Sequence, residues 1–461
     1  MPAHGSRPTD RLPGAVSRRA FLRQTGGALA VAGTLGAASP LLAACGSGKS
    51  GNAKELTFWN FYSPNPVPDP QSKWFADLVN TWNKQNEVKI KLRFLPVADY
   101  TAGTQLQTAF SSGEGPDIFL ISPGDFLRYY NGRVLEDLTP YLSQQAIADF
   151  LPGTLDTRKV GGKIYGLPME VEPLAMFYSV PAFEKAGLSD ADIPKTWDQL
   201  LTVAQKLTTK DQFGLLLETT PGYYQNFTWY PFMWMGGGSA VSTGQTSPFN
   251  APGTVNALKL WQDAVKRGVA PRKVKGTGAA DAPANLGSGY CAIQQTGIWS
   301  VAQLAQQKKQ LEYGVFPLPT PPGGKAATDL GGWAFVANRK GKNPEAAAKF
   351  VAWALGSTDA PGVERVRQWN TVVKTNIPVR KSVREAADAH GAFAKGPLKT
   401  FVDDVRPSGH PEPRYTPEVY KAVSDALQAC QLNGADPAKS AADAAQRIDT
   451  FLKRYNGAPI L

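Results

Sequence analysis

Two glutamates separated by one residue, Glu170 and Glu172, are the side chains of this chain best suited to acid–base chemistry. In an extended segment both point to the same face, with their Cα atoms about 6.6–7 Å apart. That spacing is superficially compatible with the acid and base of an inverting glycosidase. However, carboxylates on one strand cannot flank opposite faces of a sugar ring. We therefore predict no catalytic residue, and a secreted glycosidase is only a distant alternative.

The chain contains few histidines and cysteines, with three of each. Of three histidines, only His390 and His410 lie beyond residue 44, too few for a zinc site or a histidine-based triad. We therefore predict no metal and no cofactor. Cys291 and Cys430 are compatible with a disulfide or with two buried thiols, and the sequence leaves both open.

The first 44 residues predict an export signal. SRRAFL at 17–22 is typical of twin-arginine export, and the weakly apolar, Gly- and Ala-rich stretch that follows is a signal core rather than a membrane span. LAAC at 42–45 resembles a lipoprotein box. We predict that Cys45 carries lipid, that 45–54 is a linker, and that the protein is anchored to the outer face of the bacterial cell membrane.

Charge and composition exclude several classes of protein. Residues 1–44 hold five of the 49 basic and one of the 38 acidic residues, so the rest carries a formal charge of +7. That charge is scattered, which argues against a nucleic-acid partner. The hydrophobic content of 42% indicates a folded protein, and 461 residues predict about two or three domains.

The elements that must position these residues follow an α/β pattern. Apolar residues predict strands at 56–61, 88–94 and 117–121, with helices at 73–86 and 100–112 between them. Strands that alternate with helices across short loops predict a parallel sheet.

Local start signals mark the later helices. Thr196 and Gln199 form a predicted capping box, and Asn343, Thr416 and Asp436 each stand before a proline that opens a helix. The chain is therefore rich in helices, with α/β patterns in two separate stretches.

Several motifs occur in a characteristic order. They are SGEGPDI (112–118), GGKIYGLP (161–168), PAFEKAGL with PKTW (181–197), CAI with GIW (291–299), YGVFPLP (313–319) and GGW (331–333). In this order they resemble the family 1 extracellular solute-binding proteins of ABC importers, in the carbohydrate-binding group. The resemblance covers 54–455.

The resemblance implies a type II periplasmic-binding-protein fold of two α/β lobes with a ligand cleft between them. Lobe 1 is expected at 55–168 and 318–378, and lobe 2 at 169–317 and 379–461. Hinge crossings are expected near 169–173 and 316–319 and around Ile377, with closure about this hinge.

The resemblance also implies site residues. Trp299 would stack on a sugar ring, unless it is a core tryptophan, and Glu172 would accept from sugar hydroxyls, unless it is salt-bridged at the hinge. Asp125 would reach the ligand or cap the helix that begins there. The other candidates are aromatic residues and glycines: Trp59, Phe61, Tyr62, Gly331, Gly332 and Trp333. Candidates of lower weight are Tyr224, Asn226, Trp229, Arg414 and Tyr415.

The function implied is capture of a mono- or oligosaccharide and its delivery to the permease subunits of an ABC importer. The binding protein is expected to be a monomer without enzymatic activity. A glycerol phosphate or phosphodiester ligand is the alternative, for which Arg414 and the positive charge are permissive. A cleft lined by arginines would favour it, whereas stacked aromatics with acids favour sugar.

Overall fold

The computed structural model describes residues 53–62, 69–308 and 310–460. The export signal predicted at 1–44, the lipidation of Cys45 and most of the linker at 45–54 lie outside the described residues. Within the described ranges, no helix has the length and apolar character needed to span a membrane.

The secondary structure alternates strands and helices along most of the chain. The strands are β1 (Glu55–Asn60), β2 (Lys89–Phe94), β3 (Ile118–Ile121), β4 (Lys159–Val160), β5 (Lys163–Ile164), β6 (Leu167–Pro168), β7 (Glu172–Ser179), β8 (Phe213–Leu216), β9 (Cys291–Gly297), β10 (Tyr313–Phe316), β11 (Thr328–Gly331), β12 (Ala334–Ala337) and β13 (Gly409–Pro411). The helices are α1 (Pro70–Gln85), α2 (Val97–Ala102), α3 (Thr104–Ser111), α4 (Phe126–Asn131), α5 (Gln144–Asp149), α6 (Val180–Lys185), α7 (Trp197–Leu207), α8 (Tyr223–Met235), α9 (Pro252–Lys266), α10 (Ser300–Ala305), α11 (Pro344–Gly356), α12 (Ala360–Gln368), α13 (Lys381–Ala389), α14 (Gly396–Thr400), α15 (Pro417–Gln431) and α16 (Pro437–Leu452).

The first sheet has the strand order β2-β1-β3-β12-β6. Strands β2, β1 and β3 are parallel, which confirms the prediction for this part of the chain, and β12 is antiparallel to β3 and β6. On one face Phe58 packs its ring against Phe75, Phe335 and Phe350. Burial of each such side chain contributes about 1.5–3 kcal/mol, so this cluster fixes α1 and α11 against the sheet.

Most of the local helix signals behave as predicted. Thr196 and Gln199 form the capping box, and the side chains of Asn343 and Asp436 accept the amides that open α11 and α16. The helix predicted at 100–112 is instead two helices, α2 and α3. Gly103 lies between them in the left-handed region (φ +73°), which ends α2.

The second sheet has the order β13-β11-β7-β9-β8, and β10 also pairs with β7. All eight residues of β7 are buried, as expected for a central strand. Helices α8, α9, α15 and α16 pack together on this side of the molecule. Cys291 in β9 and Cys430 in α15 are free, buried thiols.

The chain passes between the two sheets at 169–171 and again at 332–333. The crossing predicted at 316–319 differs from the structure, because β10 and β11 both belong to the second sheet. Thr328 holds β11 there, since its hydroxyl bonds both the amide and the carbonyl of Leu174.

The boundary predicted at 378 also differs from the structure. Helix α13 follows that point but packs on α12. Arg380 pairs with Asp149 (2.7 Å) and donates to the carbonyl oxygens of Leu355 and Ser357. Asp149, Leu355 and Ser357 all pack with the first sheet. Helix α13, which follows Arg380, therefore belongs with the first sheet as well. The segment around Ile377 runs beside the first crossing, where Ile377 bridges to Val171, and a hinge at this place stays a prediction.

Candidate functional site

Two buried glutamates share one lysine where the chain leaves the first sheet. We call Glu170 and Glu172 the hinge acids. Lys374 Nζ donates to Glu172 Oε1 and to the hydroxyl of Tyr62 (2.7 Å), and lies 3.5 Å from Glu170 Oε1. Glu170 Oε2 also accepts from Trp369 Nε1 (2.5 Å). The hinge acids are therefore ion-paired, which is the alternative that the sequence left open for Glu172.

The backbone explains why these groups meet. Val171 between the hinge acids pairs with Ile377, so the segment after Lys374 runs beside them. Burial alone would lower the pKa of Lys374, but the charges of both glutamates outweigh it and hold that pKa above its ordinary value. Burial raises the pKa of Glu170, which Lys374 partly opposes. The lysine is thus charged and serves the hinge.

An array of aromatic rings connects the second sheet to the first. Neighbouring centroids lie 4.5–6.5 Å apart, within the range of favourable ring contacts. We call this the aromatic array; in spatial order it consists of Trp299, Phe227, Tyr223, Trp333, Phe61 and Tyr62. Three of the sequence-predicted aromatic residues, together with Trp299, therefore lie in one continuous structure.

Trp299 is at the second-sheet end of the array. Its side chain packs against Gly297, where an added Cβ would lie 1.8 Å from the indole ring. Its Nε1 donates to the carbonyl of Ala280 (3.3 Å), and Tyr224 approaches edge-on. The residue is 9% exposed, so in this structure most of the indole is covered by the protein.

A second pair of acids lies in the second sheet. We call Glu412 and Asp329 the acidic pair. Glu412 Oε1 accepts from the amide of Gly124 (3.2 Å) and from Tyr420 (3.3 Å), and Oε2 accepts from Tyr223 (3.1 Å). Gly124 follows β3 of the first sheet, so Glu412 joins the loops of the two sheets.

Burial dominates the electrostatics of the acidic pair. It raises the pKa of Glu412 to about 8, although the hydrogen bond from Tyr223 and the charge of Arg158 favour the ionised form. Burial and the nearby Glu412 raise the pKa of Asp329 well above its usual range. Both carboxyls therefore hold their protons more tightly than exposed acids do.

Gly331 and Gly332 lie where the chain passes from β11 to β12. Gly332 has φ +131°, and an added Cβ would lie 2.3 Å from the carbonyl oxygen of Glu170. Only glycine fits this position without strain. The Gly332 carbonyl accepts from Arg158 (2.5 Å), and the amide of Trp333 donates to Glu170 (3.1 Å).

Trp59 and Asp125 lie outside the aromatic array. Trp59 lies beneath Arg93, whose guanidinium is 4.0 Å from the ring centroid, and no ring contact among the described residues joins it to the array. The Asp125 side chain does not cap α4, since it accepts none of the first amides of that helix, and the amide of Asp125 itself donates to the Ser122 hydroxyl. Its carboxylate lies 3.4 Å from Arg128. Ligand contact by Trp59 and Asp125 stays a prediction.

Other candidates from the second half of the chain support packing. Asn226 donates to the carbonyl of Tyr420 (3.0 Å), and Trp229 is fully buried. Arg414 donates to two backbone carbonyls, and Tyr415 packs edge-on against Tyr230. Their contact with a ligand also stays a prediction.

Sequence reasoning missed Lys374, Tyr223 and Glu412. Nothing distinguishes Lys374 from the other lysines of the chain until the fold brings it to the hinge acids. Glu412 stands between Pro411 and Pro413, next to the candidates Arg414 and Tyr415. That extended, proline-bounded segment was a usable signal.

The sequence matches the model of a family described as bacterial extracellular solute-binding protein over residues 67–360. The match covers more than half of the chain, and the chain belongs to this family.

The relatives and solved structures agree with this membership. The galactooligosaccharide-binding protein of Bacillus subtilis is 25% identical over 432 residues, 90% of this chain and 95% of that protein. The arabinooligosaccharide-binding protein of Bacillus subtilis is 27% identical over 335 residues, 68% of this chain and 71% of that protein.

Among solved structures, the maltose-bound MalE3 of T. maritima superposes with a TM-score of 0.72 at 21% identity, covering 87% of this chain and 99% of that one. UgpB from Mycobacterium tuberculosis in complex with glycerophosphocholine has the same TM-score at 19% identity and the same coverage. These similarities show the fold, which is the two-lobed type II periplasmic-binding-protein fold.

Proposed function

We propose that this protein captures a mono- or oligosaccharide between its two lobes and delivers it to the permease of an ABC importer. The observation that carries this proposal is the aromatic array, which runs from Trp299 beside the second sheet to Tyr62 beside the first. Flat rings suit the C–H faces of sugars, and the neighbouring acids suit their hydroxyl groups. The names of the two Bacillus subtilis relatives support the same ligand class.

Closure follows from contacts that connect the lobes. The Gly124 amide donates to Glu412 across the two sheets, and helix α2 contacts helix α8. A ligand that touches both walls binds the closed form more tightly and shifts the population toward it. The permease would then recognise that form, and the protein itself would carry out no chemistry. We expect it to act as a monomer.

We also propose export by the twin-arginine route and lipid attachment at Cys45, on the motifs at 17–22 and 42–45. Expression of the full chain in an exporting bacterium with a radiolabelled fatty acid tests this. Label should enter the wild type and be absent from Cys45→Ala, while an unlabelled wild type would refute the lipid anchor. We propose the lobe boundaries predicted from the sequence, except that the second crossing lies at 332–333 and α13 stays with lobe 1.

The alternatives are less well supported. Arg414 is engaged by backbone carbonyls, and Arg158 donates to the Gly332 carbonyl and to Thr157, so a phosphodiester would find no free pair of guanidinium groups among these. The hinge acids share Lys374 on one side of the chain, an arrangement unsuited to a glycosidase.

A binding screen tests the ligand class. Purified protein is examined by thermal shift and calorimetry against neutral mono- and oligosaccharides, amino sugars and glycerophosphodiesters. Binding stabilises the folded form by RT ln(1 + [L]/Kd), so a sugar should raise the Tm. A response to phosphodiesters alone would refute the proposal.

Trp299 provides the residue-level test. Trp299→Ala should weaken binding of the sugar found in the screen by at least tenfold, about 1.4 kcal/mol. Trp299→Phe keeps a flat ring and should lose less. Gly297→Ala keeps Trp299, but the added methyl group would displace the indole ring, so this variant should also weaken binding. Unchanged calorimetric affinity in Trp299→Ala would remove this residue from the site.

A further inference from the structure

The acidic pair lies on one face of the ladder between β11 and β13. In this parallel register Asp329 lies opposite His410, and the amide of Glu412 reaches the carbonyl of Leu330 (3.4 Å). Side chains alternate along a strand, so Asp329 and Gly331 share the face that Glu412 also occupies. Both acids are 0% exposed.

The same face is covered by one aromatic stripe of α8. Its residues are spaced by four, three and four, which places them on one side of the helix. They are Tyr223, Phe227, Tyr230 and Trp234. Tyr223 bonds Glu412, Phe227 lies over Gly331, and Trp234 stacks on His410. The acidic pair is therefore covered by aromatic side chains of α8, and aromatic rings attract cations.

The pair has no counter-ion. Among the described residues, no lysine or arginine nitrogen lies within 4.0 Å of either carboxyl group. The charge of Arg158 favours the ionised form of Glu412. However, Nη2 of Arg158 donates to the Gly332 carbonyl, and Nε of Arg158 has no partner among the described residues. Among the described residues, the two oxygens of Asp329 have no hydrogen-bond partner beyond the adjacent amide of Leu330, which favours the ionised form only weakly. A buried carboxyl with unused acceptors is costly unless a donor arrives from elsewhere.

The pair also borders the space between the lobes. Glu412 contacts Gly124 of the first sheet, and Tyr223 belongs to both the acidic surroundings and the aromatic array. A sugar stacked on the array would thus bring a substituent to Glu412. A group that is cationic and carries several N–H donors would satisfy both the charge and the unused acceptors.

We propose that Glu412, backed by Asp329, is a subsite for the ammonium group of an amino sugar, which makes a hexosamine-containing saccharide the ligand of this protein. The inference rests on the proposed function, because it specifies the class of sugar held in the same cleft. A phosphodiester, whose negative charge would face these two acids, would not be favoured at this subsite.

The test measures calorimetric affinity for three matched series, made of glucosamine, N-acetylglucosamine or glucose. Each series comprises the monosaccharide and its β-1,4-linked di- and trisaccharides. The glucosamine series should bind at least tenfold tighter than the other two. Glu412→Gln keeps the shape, and its oxygen can still accept from the Gly124 amide while the Tyr223 hydroxyl turns to accept from the new NH2 group. It cannot ionise to pair with the ammonium group, and should lower glucosamine affinity at least tenfold with less than a threefold change for the neutral sugars. Asp77→Asn, an exposed charge on α1, is the matched control and should change neither.

The outcomes separate the two proposals. Equal or tighter binding of the neutral series, or a Glu412→Gln variant that keeps the glucosamine preference, would overturn the subsite and leave the sugar-binding function standing. Failure of every carbohydrate in the series and in the wider screen to bind would overturn both. Because Glu412→Gln could unfold, circular dichroism and Tm are measured first, and Asp329→Asn is the second variant, expected to reduce the same preference.

Discussion

The hinge acids and the acidic pair are both pairs of buried carboxylic acids, yet their surroundings differ. Lys374 bonds Glu172 and lies 3.5 Å from Glu170, so that both hinge acids face a cation supplied by the chain itself. From the part of the chain that the structure describes, Glu412 and Asp329 receive hydrogen bonds from neutral donors and no ion pair. Burial of a charge is costly unless it is paired, so the first arrangement is structural, whereas the second has acceptors left for a ligand.

The comparison changes the interpretation of Glu172. Sequence reasoning offered it as the acid that holds sugar hydroxyls, with a salt bridge as the alternative. In the structure its Oε1 is engaged by Lys374 and Asn376, whereas Glu412 has neutral partners and joins the two lobes. Glu412 is therefore the stronger candidate for ligand contact.

Removal of the hinge lysine should have the largest effect. Lys374→Met leaves two buried carboxylates with no counter-charge, which typically costs about 3–5 kcal/mol. The free energy of unfolding in urea measures this. Lys349→Met, which breaks an exposed pair with Glu345, is the control and should cost less than about 0.5 kcal/mol.

A rescue variant sharpens the hinge prediction. Glu172→Gln combined with Lys374→Met removes one of the two stranded charges and should recover part of the lost stability. If Lys374→Met costs less than about 1 kcal/mol, the hinge acids are not held by this ion pair and the contrast with the acidic pair fails.

Glu412→Gln should change how stability depends on pH. The folded-state pKa of Glu412, about 8, is above the unfolded value of 4.5, so the stability that this protonated carboxyl contributes is present below pH 4.5 and is lost as the pH rises toward 8. Glutamine stays neutral throughout. The stability of Glu412→Gln relative to wild type should therefore rise between pH 5 and pH 8, by at least about 1.4 kcal/mol, one pKa unit.

The groups around Glu412 differ in whether they contribute to this pH effect. Arg158 and Tyr223 stay in one protonation state over the range, whereas the pKa of Asp329 is itself raised by Glu412, so the difference reports the titration of the acidic pair as a unit. Urea unfolding at four pH values measures it. A constant difference would show that Glu412 is ionised throughout, and the acidic pair would then resemble an ordinary surface acid.

The sequence predicted what depends on short stretches of chain. The alternation in β2, the parallel pairing of β1 with β2 and β3, and the caps at Thr196, Asn343 and Asp436 follow from local pattern and side-chain chemistry. The split between α2 and α3 was missed because helical periodicity continues through Gly103, while its backbone does not.

Features that depend on distant contacts could not be predicted. The crossing after β10 was misplaced because Thr328 bonds Leu174, a partner 154 residues away. Likewise, Lys374 and Glu172 are 202 residues apart, and their pairing exists only after both sheets have formed. Motif order located the fold and several aromatic residues, but the partners that distinguish a structural acid from a candidate ligand acid are set by tertiary structure.

The smallest expected effect concerns the hydroxyl of Tyr223, which donates to Glu412 Oε2. A hydrogen bond to an ionised acceptor contributes about 1.5–3 kcal/mol and one to a neutral acceptor about 0.5–1.5 kcal/mol. Tyr223→Phe should therefore cost about 1 kcal/mol more at pH 9, where Glu412 is ionised, than at pH 6. Tyr313→Phe, in β10 and remote from this bond, should show no such difference. Equal costs for Tyr223→Phe at both pH values would mean that the hydroxyl does not sense the charge of Glu412, and the acidic pair would lose its electrostatic distinction from the hinge acids.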